Sequence, residues 1–152
     1  VELLGTRKRA GNGITMQLTR HTDYALRLLI QLAGSGGKRL SIAEVAEAQA
    51  ISRSHLMKVA NELAHAGFIQ ALRGRGGGIA LSGDPATINL GAVVAAMEPG
   101  CALVDCCDCR LVVRCGLPTV LAEAMAAFRQ TLSRYTLADI VRQPTLFSGT
   151  AG

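Results

Sequence analysis

The residues of this 152-residue chain that could carry chemistry fall into two groups, and the first is a dense set of thiols. Five cysteines lie within fifteen residues: Cys101, Cys106, Cys107, Cys109 and Cys115. Thiolates on one irregular segment can converge on iron or zinc, because a loop can wrap around a metal centre. A zinc site usually adds a second cysteine pair or a histidine, and no histidine follows His65. The segment therefore predicts an iron–sulfur cluster, with zinc, a thiol redox switch and inert cysteines as alternatives.

The second group is polar and basic, and it begins a predicted helix that ends before Gly67. Its members are Ser52 (the predicted N-cap), Arg53, Ser54, His55 and Lys58. A shorter helix precedes it, opened by a capping box at Ser41 and Glu44 and running through about Ala48. Two helices separated by a short turn predict a helix-turn-helix, whose second helix enters a DNA major groove about 12 Å wide.

A glycine-rich tip follows these helices, between two short runs of period two at 68–72 and 78–81. The tip holds Arg73 and Arg75 among glycines, and the pattern predicts a hairpin wing whose arginines contact a phosphate or a minor groove. It lacks the Gly-Lys-Ser/Thr ending of a nucleotide-binding loop. No arrangement of catalytic residues can be recognised in the sequence, so an enzyme is not expected.

Charge is divided unevenly along the chain. Residues 1–79 contain 11 Lys/Arg and 5 Asp/Glu, whereas residues 80–152 contain 5 and 6. A basic half beside a near-neutral half predicts that one part meets a polyanion. Apolar runs are far shorter than the roughly 18 residues that span a membrane, and no secretory signal is recognised. We therefore expect a cytoplasmic protein with reduced thiols and no membrane association.

Four further helices are predicted from apolar periodicity and capping residues. The first spans residues 21–34, and another spans Leu90 to Met97 with Thr87 or Asn89 as its cap. The third carries a long apolar stripe from Leu117 to Leu132. So long a stripe predicts helix-to-helix dimerisation, and a two-fold dimer would match a pseudo-palindromic operator in double-stranded DNA. A capping signal at 136–139 opens a last short helix through about Val141.

Together these elements predict a mainly α fold with a small β-wing: a winged helix-turn-helix head plus a long dimerisation helix. The predicted domains are a disordered tail or misassigned start at 1–15, a DNA-binding domain at 16–98 and a cysteine loop at 99–116. The dimerisation helix and the short helix occupy 117–143, and a flexible tail occupies 144–152.

Several motifs, taken in order, resemble the NsrR/IscR-type (Rrf-type) family of winged-helix iron–sulfur regulators, over Met16 to about Pro144. The motifs are Leu18-Thr19-x-x-Thr22-Asp23-Tyr24-Ala25-Leu26-Arg27, Arg73-Gly74-Arg75-Gly76-Gly77-Gly78, Glu98-Pro99, Leu103-Val104-Asp105-Cys106 and Tyr135-Thr136-Leu137-Ala138-Asp139-Ile140-Val141. The last two favour the nitric-oxide-sensing branch. Position 118, where the cluster-assembly branch has a histidine, is Pro118.

The resemblance implies a particular ligand set. Cys106, Cys109 and Cys115 of one protomer would hold the cluster, and Asp23 of the other protomer would complete it. Only two residues separate Cys106 from Cys109, fewer than is usual in the family, which leaves Cys107 or Cys101 as substitutes for the first ligand. A 4Fe–4S cluster is favoured and a 2Fe–2S cluster is the alternative.

The function implied is a homodimeric repressor that senses nitric oxide and loses operator binding when its cluster is nitrosylated. One alternative keeps the fold and changes the signal, to cluster biogenesis or redox state. Another is a zinc-stabilised DNA-binding module. A third, from a different class, is a small dithiol oxidoreductase that uses the pair Cys106 and Cys109.

Overall fold

The computed structural model describes residues 17–98, 103–104, 106–107 and 109–142, and this part of the chain is helical apart from one hairpin. The α-helices are α1 (Arg20–Gly34), α2 (Ile42–Gln49), α3 (Arg53–His65), α4 (Leu90–Met97), α5 (Leu117–Leu132) and α6 (Leu137–Arg142). The strands are β1 (Ile69–Leu72) and β2 (Gly78–Leu81). The predicted mainly α fold with a small wing is confirmed.

Polar residues begin α2, α3 and α4 where the sequence predicts them. At α2 both halves of the capping box form, since Ser41 accepts from the backbone of Glu44 while the Glu44 carboxylate accepts from the backbone of Ser41. Asn89, not Thr87, caps α4, and its side chain accepts from the amide of Ala92 at 3.1 Å. These bonds satisfy amide groups that a helix leaves without a partner in its first turn.

The two strands pair in antiparallel register, with Ile69 opposite Leu81 and Leu72 opposite Gly78. Leu40, in the loop between α1 and α2, exchanges two backbone hydrogen bonds with Ile79 at 3.0 and 2.8 Å. The hairpin is therefore fastened to the helices through its second strand. Its tip extends beyond that attachment.

The core lies between α1, α2, α3, α4, α6 and the hairpin. Its largest fully buried side chains include Leu28, Leu29, Leu56, Leu63 and Leu137, each 0% exposed. Full burial of one such side chain contributes roughly 1.5–3 kcal/mol relative to exposure. Leu137 belongs to α6, so the short C-terminal helix, which follows α5 along the chain, packs against α1 in the core of the head.

The helix α5 differs from the others because none of its side chains is buried. Leu117 and Val120 are 50% and 61% exposed. Its far end approaches α4 closely: a Cβ on Gly91 would overlap the hydroxyl of Ser133. The predicted terminal tails (1–15 and 144–152), Cys101 and other parts of the cysteine loop lie outside the described residues.

Candidate functional site

The exposed face of α3 is basic and polar. Its exposed polar side chains include Arg53, Ser54, Lys58 and Asn61. The opposite face of the helix is buried in the core, which fixes the orientation of the exposed face. No hydrogen bond or ion pair to another described residue holds the Arg53 or Lys58 side chain. Both cations are therefore available to an external anion.

Two of the predicted DNA-contacting residues also have structural roles. Ser52 caps α3, because its hydroxyl accepts from the amide of His55 at 3.3 Å. The ring of His55 is half-buried against α1, edge-on to Tyr24 with ring centres 4.9 Å apart, and stacked on His21 at 5.9 Å. His21 in turn lies 2.7 Å from the carboxylate of Glu62 on α3. This aromatic and polar cluster fixes α3 against the first turn of α1.

The wing carries its two arginines at the tip. Arg73 and Arg75 are exposed, and no described residue pairs with either guanidinium. Gly74 and Gly76 adopt φ values of 94° and 71°, in the left-handed region that favours glycine, and so allow the tight turn. Arg39 donates to the backbone oxygen of Gly76 at 3.4 Å. Sequence periodicity missed Arg39 because only the pairing of Leu40 with the hairpin brings it beside the tip.

The described thiols lie between α4 and α5. Cys106, Cys109 and Cys115 are half-buried and form no disulfide, and Cys107 is exposed. The amide of Cys109 donates to the backbone oxygen of Cys106 at 3.3 Å, which makes a tight turn between these two residues. Three thiols on a short irregular segment are a donor set that suits iron. Among the described residues, however, no three cysteine, histidine or carboxylate side chains are close enough to hold a metal ion.

Asp23 lies in the first turn of α1 and is paired with Arg27 one turn later. Arg27 donates to one carboxylate oxygen at 3.0 Å and lies 2.8 Å from the other. This hydrogen bond and the charge of Asp23 raise the pKa of Arg27. Both side chains are substantially exposed, which leaves the carboxylate open to a ligand from outside its own chain.

Glu98 connects the start of the cysteine segment to the first turn of α1. Its carboxylate accepts from the amide of Thr19 at 2.8 Å and from the hydroxyl of Thr22 at 2.7 Å. Thr22 is 0% exposed. Partial burial of Glu98 raises its pKa, but the hydrogen bonds from Thr22 and Thr19 outweigh that effect, and the net pKa is lowered. We call these three residues the Glu98 clasp; it fixes the end of α4 beside Asp23.

A groove of about 610 Å³ lies between α1, α4, α5 and α6. Its walls are mainly apolar and include Leu26, Phe128 and Leu132, with Asp23 at one side. None of the described cysteines lines it. Within one chain, Asp23 and the described cysteines do not form a group that could hold a metal ion. No helix in the described part of the chain is long and apolar enough to cross a membrane.

A helix-turn-helix with a basic outer face and an arginine-tipped hairpin defines a winged-helix DNA-binding protein. Residues 18–143 match the Rrf2 family model, described as iron-dependent transcriptional regulator, and the chain belongs to this family. It is 45% identical over 133 residues to the HTH-type transcriptional regulator NsrR of Bacillus subtilis (strain 168), covering 84% of this chain and 91% of that protein. The protein is therefore a transcriptional regulator and not an enzyme, as the sequence predicts.

Solved structures support the same fold. The oxidized form of CymR from Staphylococcus aureus matches with a TM-score of 0.66 and 25% identity, covering 83% of this chain and 96% of that one. IscR from T. potens matches with a TM-score of 0.67 and 22% identity, covering 90% of this chain and 94% of that one. The resemblance to NsrR/IscR-type regulators that the sequence motifs indicate is thus confirmed.

Proposed function

We propose that this regulator is a homodimeric repressor that binds a pseudo-palindromic operator and releases it when nitric oxide reacts with an iron–sulfur cluster. The observation that carries the proposal is the placement of three half-buried thiols directly after α4, whose end is clasped by Glu98 to the helix that bears Asp23. The similarity to NsrR supports the choice of signal. As a DNA-binding regulator with reduced thiols, the protein would act in the cytoplasm.

DNA binding would use the exposed face of α3 and the wing. Arg53, Ser54 and Lys58 would face base edges in the major groove, because guanidinium, ammonium and hydroxyl groups all match acceptors there. Ser52 and His55, which also cap and anchor α3, would contact phosphates near the start of the helix. The wing arginines, Arg73 and Arg75, would bind the adjacent backbone or minor groove.

The dimer would form through α5. This 16-residue helix has an apolar stripe and no buried side chain. Burial of its exposed Leu117 and Val120 against a second copy of the chain would favour association. The groove beside α5 offers further apolar surface to the same partner. A two-fold arrangement would place two α3 helices on successive major grooves, which a pseudo-palindromic operator matches.

The cluster would be held by Cys106, Cys109 and Cys115 of one protomer and by Asp23 of the other, as the family resemblance implies. We favour a 4Fe–4S cluster, with 2Fe–2S as the alternative, and Cys106 as the first ligand ahead of Cys107 or Cys101. Within one chain Asp23 and the three cysteines do not form one metal-binding group, and the exposed carboxylate of Asp23 is open to a partner. This arrangement favours ligation between protomers.

When bound, the cluster supplies iron that reacts with nitric oxide. The side chains of the protein would couple this reaction to DNA binding. Asp23 would fix α1 relative to the partner. The packed rings of His21, Tyr24 and His55 would couple the position of α1 to that of α3. The Glu98 clasp would hold the cysteine segment at the same end of α1. Loss of the Asp23 link would free the two α3 helices from their common spacing. A coupling of about 1–3 kcal/mol would lower operator affinity by about 5–150-fold.

The test is the cluster content of cysteine variants purified without oxygen. Cys109→Ala and Cys115→Ala should lose the visible absorption and most of the iron and acid-labile sulfide, whereas Cys107→Ala should keep them. Cluster content equal to wild type in both Cys109→Ala and Cys115→Ala would refute the proposed site. Loss in Cys107→Ala but not in Cys106→Ala would move the first ligand to Cys107.

The role of Asp23 needs a separate comparison, because its removal also breaks an ion pair. Arg27→Ala breaks the same ion pair and keeps the carboxylate, which makes it the matched control. Asp23→Ala should bind its cluster less stably than Arg27→Ala, measured as the rate of loss of visible absorption in the presence of a chelator. Equal rates in the two variants would exclude Asp23 as a ligand.

A further inference from the structure

One side chain on the exposed face of α3 does not fit the polar character of that face. Met57 is 52% exposed, although it is a large hydrophobic residue. It lies one turn after Arg53, about 40° around the helix, and about 60° from Ser54. Asn61, one turn further on, is also exposed. Met57 is therefore surrounded by the side chains to which the proposed function assigns base reading.

The fold does not require an apolar side chain at this position. The core cluster includes Leu56, Val59, Ala60 and Leu63 of α3, but not Met57. The other large exposed hydrophobic side chains of the described residues lie on other elements, such as the cysteine segment (Val113) and α5 (Val120). Met57 is thus the one large exposed hydrophobic side chain that the described helix α3 presents on the surface that would face DNA.

The chemistry of the major groove offers one apolar partner to such a group. The C5 methyl group of thymine is the only apolar feature that base edges present there, and polar contacts alone do not sense it. A methionine suits this contact because its unbranched side chain can adapt to the position of the methyl group. Neighbouring cations, Arg53 and Lys58, would hold the phosphate backbone or guanines on either side and so bring the apolar group to the floor of the groove.

We infer that Met57 is a specificity-determining residue that recognises the C5 methyl group of a thymine in each operator half-site. The inference rests on the proposed function in one respect, which is that α3 occupies the major groove. It adds a residue that the polar pattern of the sequence did not single out. The proposed partner of Met57 is a single methyl group at one thymine position of each half-site.

The experiment replaces thymine by uracil, which removes only that methyl group. The full-length protein, prepared without oxygen, first selects a duplex from a random pool; each thymine of one half-site is then replaced in turn, and affinities are measured by fluorescence anisotropy. Wild type should lose about fourfold in affinity at one thymine, the factor expected for one methyl-sized apolar group. Met57→Ala should bind the thymine duplex about fourfold more weakly and be indifferent to uracil at that position.

Two further variants separate this contact from general effects on folding or charge. Met57→Leu keeps an apolar side chain of similar volume and should retain most of the thymine preference. Lys58→Ala, on the adjacent position of the same helix, should weaken binding to both duplexes equally and leave their ratio unchanged. Far-UV circular dichroism of each variant checks that the total helix content is unchanged.

Several outcomes would overturn the inference. One is a wild-type affinity that no thymine-to-uracil replacement changes, and another is a Met57→Ala variant with the same thymine preference as wild type. Both leave the proposed function intact, because the duplex was selected and bound specifically. A pool from which wild type enriches no sequence would instead refute sequence-specific DNA binding and the inference with it.

Discussion

The head and the segment that follows α4 are built differently. In the head, leucines of α1, α3 and α6 are fully buried, and the helices begin at capping residues that satisfy their first amides. In α5 no side chain is buried, and the described cysteines are half-buried or exposed. The head therefore has a well-buried core of its own. The cysteine segment instead carries thiols that suit a metal, and α5 exposes apolar side chains that suit a second chain. Stability therefore resides mainly in the head, whereas the proposed metal and dimer contacts would use the other part of the protein.

The largest expected effect is on the stability of the head. Leu63→Ala removes a side chain that is 0% exposed and leaves a cavity, so the free energy of unfolding should fall by about 2–5 kcal/mol. Val113→Ala, at a site 90% exposed, should change it by less than about 0.5 kcal/mol. Urea denaturation of the two variants measures both values. Equal losses would mean that the two regions do not differ as described.

The next effect is on assembly. Val120→Glu places a charge on the exposed apolar stripe of α5, and two-fold symmetry repeats the change in both protomers. We expect the mass measured by light scattering to halve while the far-UV circular dichroism of the protein is retained, with operator affinity at least about tenfold weaker. Thr119→Glu adds the same charge opposite the middle of the apolar stripe, about 100° from Val120, and should remain dimeric. A dimeric Val120→Glu variant would place the interface elsewhere.

A smaller effect concerns the Glu98 clasp, which links the two regions. Glu98→Ala should lower the free energy of unfolding by about 1–3 kcal/mol, because the buried hydroxyl of Thr22 loses a charged acceptor. Glu98→Gln keeps an acceptor oxygen and should lose less.

The pH dependence of that effect has a definite sign. The pKa of Glu98 is lower in the folded state than its ordinary value of 4.5, so the folded state binds the proton less readily than the unfolded state. The stabilisation is present above pH 4.5 and is lost as the pH falls below it. The stability difference between wild type and Glu98→Gln should therefore shrink on acidification. A difference that stays constant from pH 7 to pH 3 would contradict the lowered pKa.

The smallest effect is expected at the tip of the wing. Arg75→Ala should leave stability unchanged and weaken operator binding, because the exposed guanidinium has no partner among the described residues. Each lost phosphate contact should reduce the slope of log affinity against log salt by about 0.9. Gln70→Ala, on β1 of the same hairpin, serves as the neutral control. An unaltered slope in Arg75→Ala would mean that the wing does not contact phosphate.

Much of the fold could be predicted from local sequence signals. The capping box at Ser41, the caps at Ser52 and Asn89 and the glycine-rich tip determine local structure through bonds within a few residues, and each is found where predicted. The packing of α6 against α1 could not be predicted in this way. Burial of Leu137 depends on contacts between residues more than a hundred positions apart, and periodicity carries no information about them.

The site shows the same division between near and distant contacts. Exposure of Arg53, Lys58 and the wing arginines follows from helix and hairpin patterns. The packing of His55 on Tyr24 and the bond from Arg39 to the wing tip are tertiary contacts, and composition does not reveal them. The role of Met57 could not be predicted for another reason. An apolar residue in a helix is normally expected to be buried, and only the folded structure shows that its side chain is exposed.

The central claim is that a reaction in the cysteine segment controls DNA binding by the head. The direct test is a nitric oxide titration of anaerobic protein bound to a fluorescent operator duplex, with visible absorption and anisotropy recorded on the same sample. We expect the cluster absorption and the anisotropy to fall together within a few equivalents of nitric oxide. Bleaching of the cluster while the duplex stays fully bound, or protein that remains colourless after anaerobic cluster reconstitution, would contradict it.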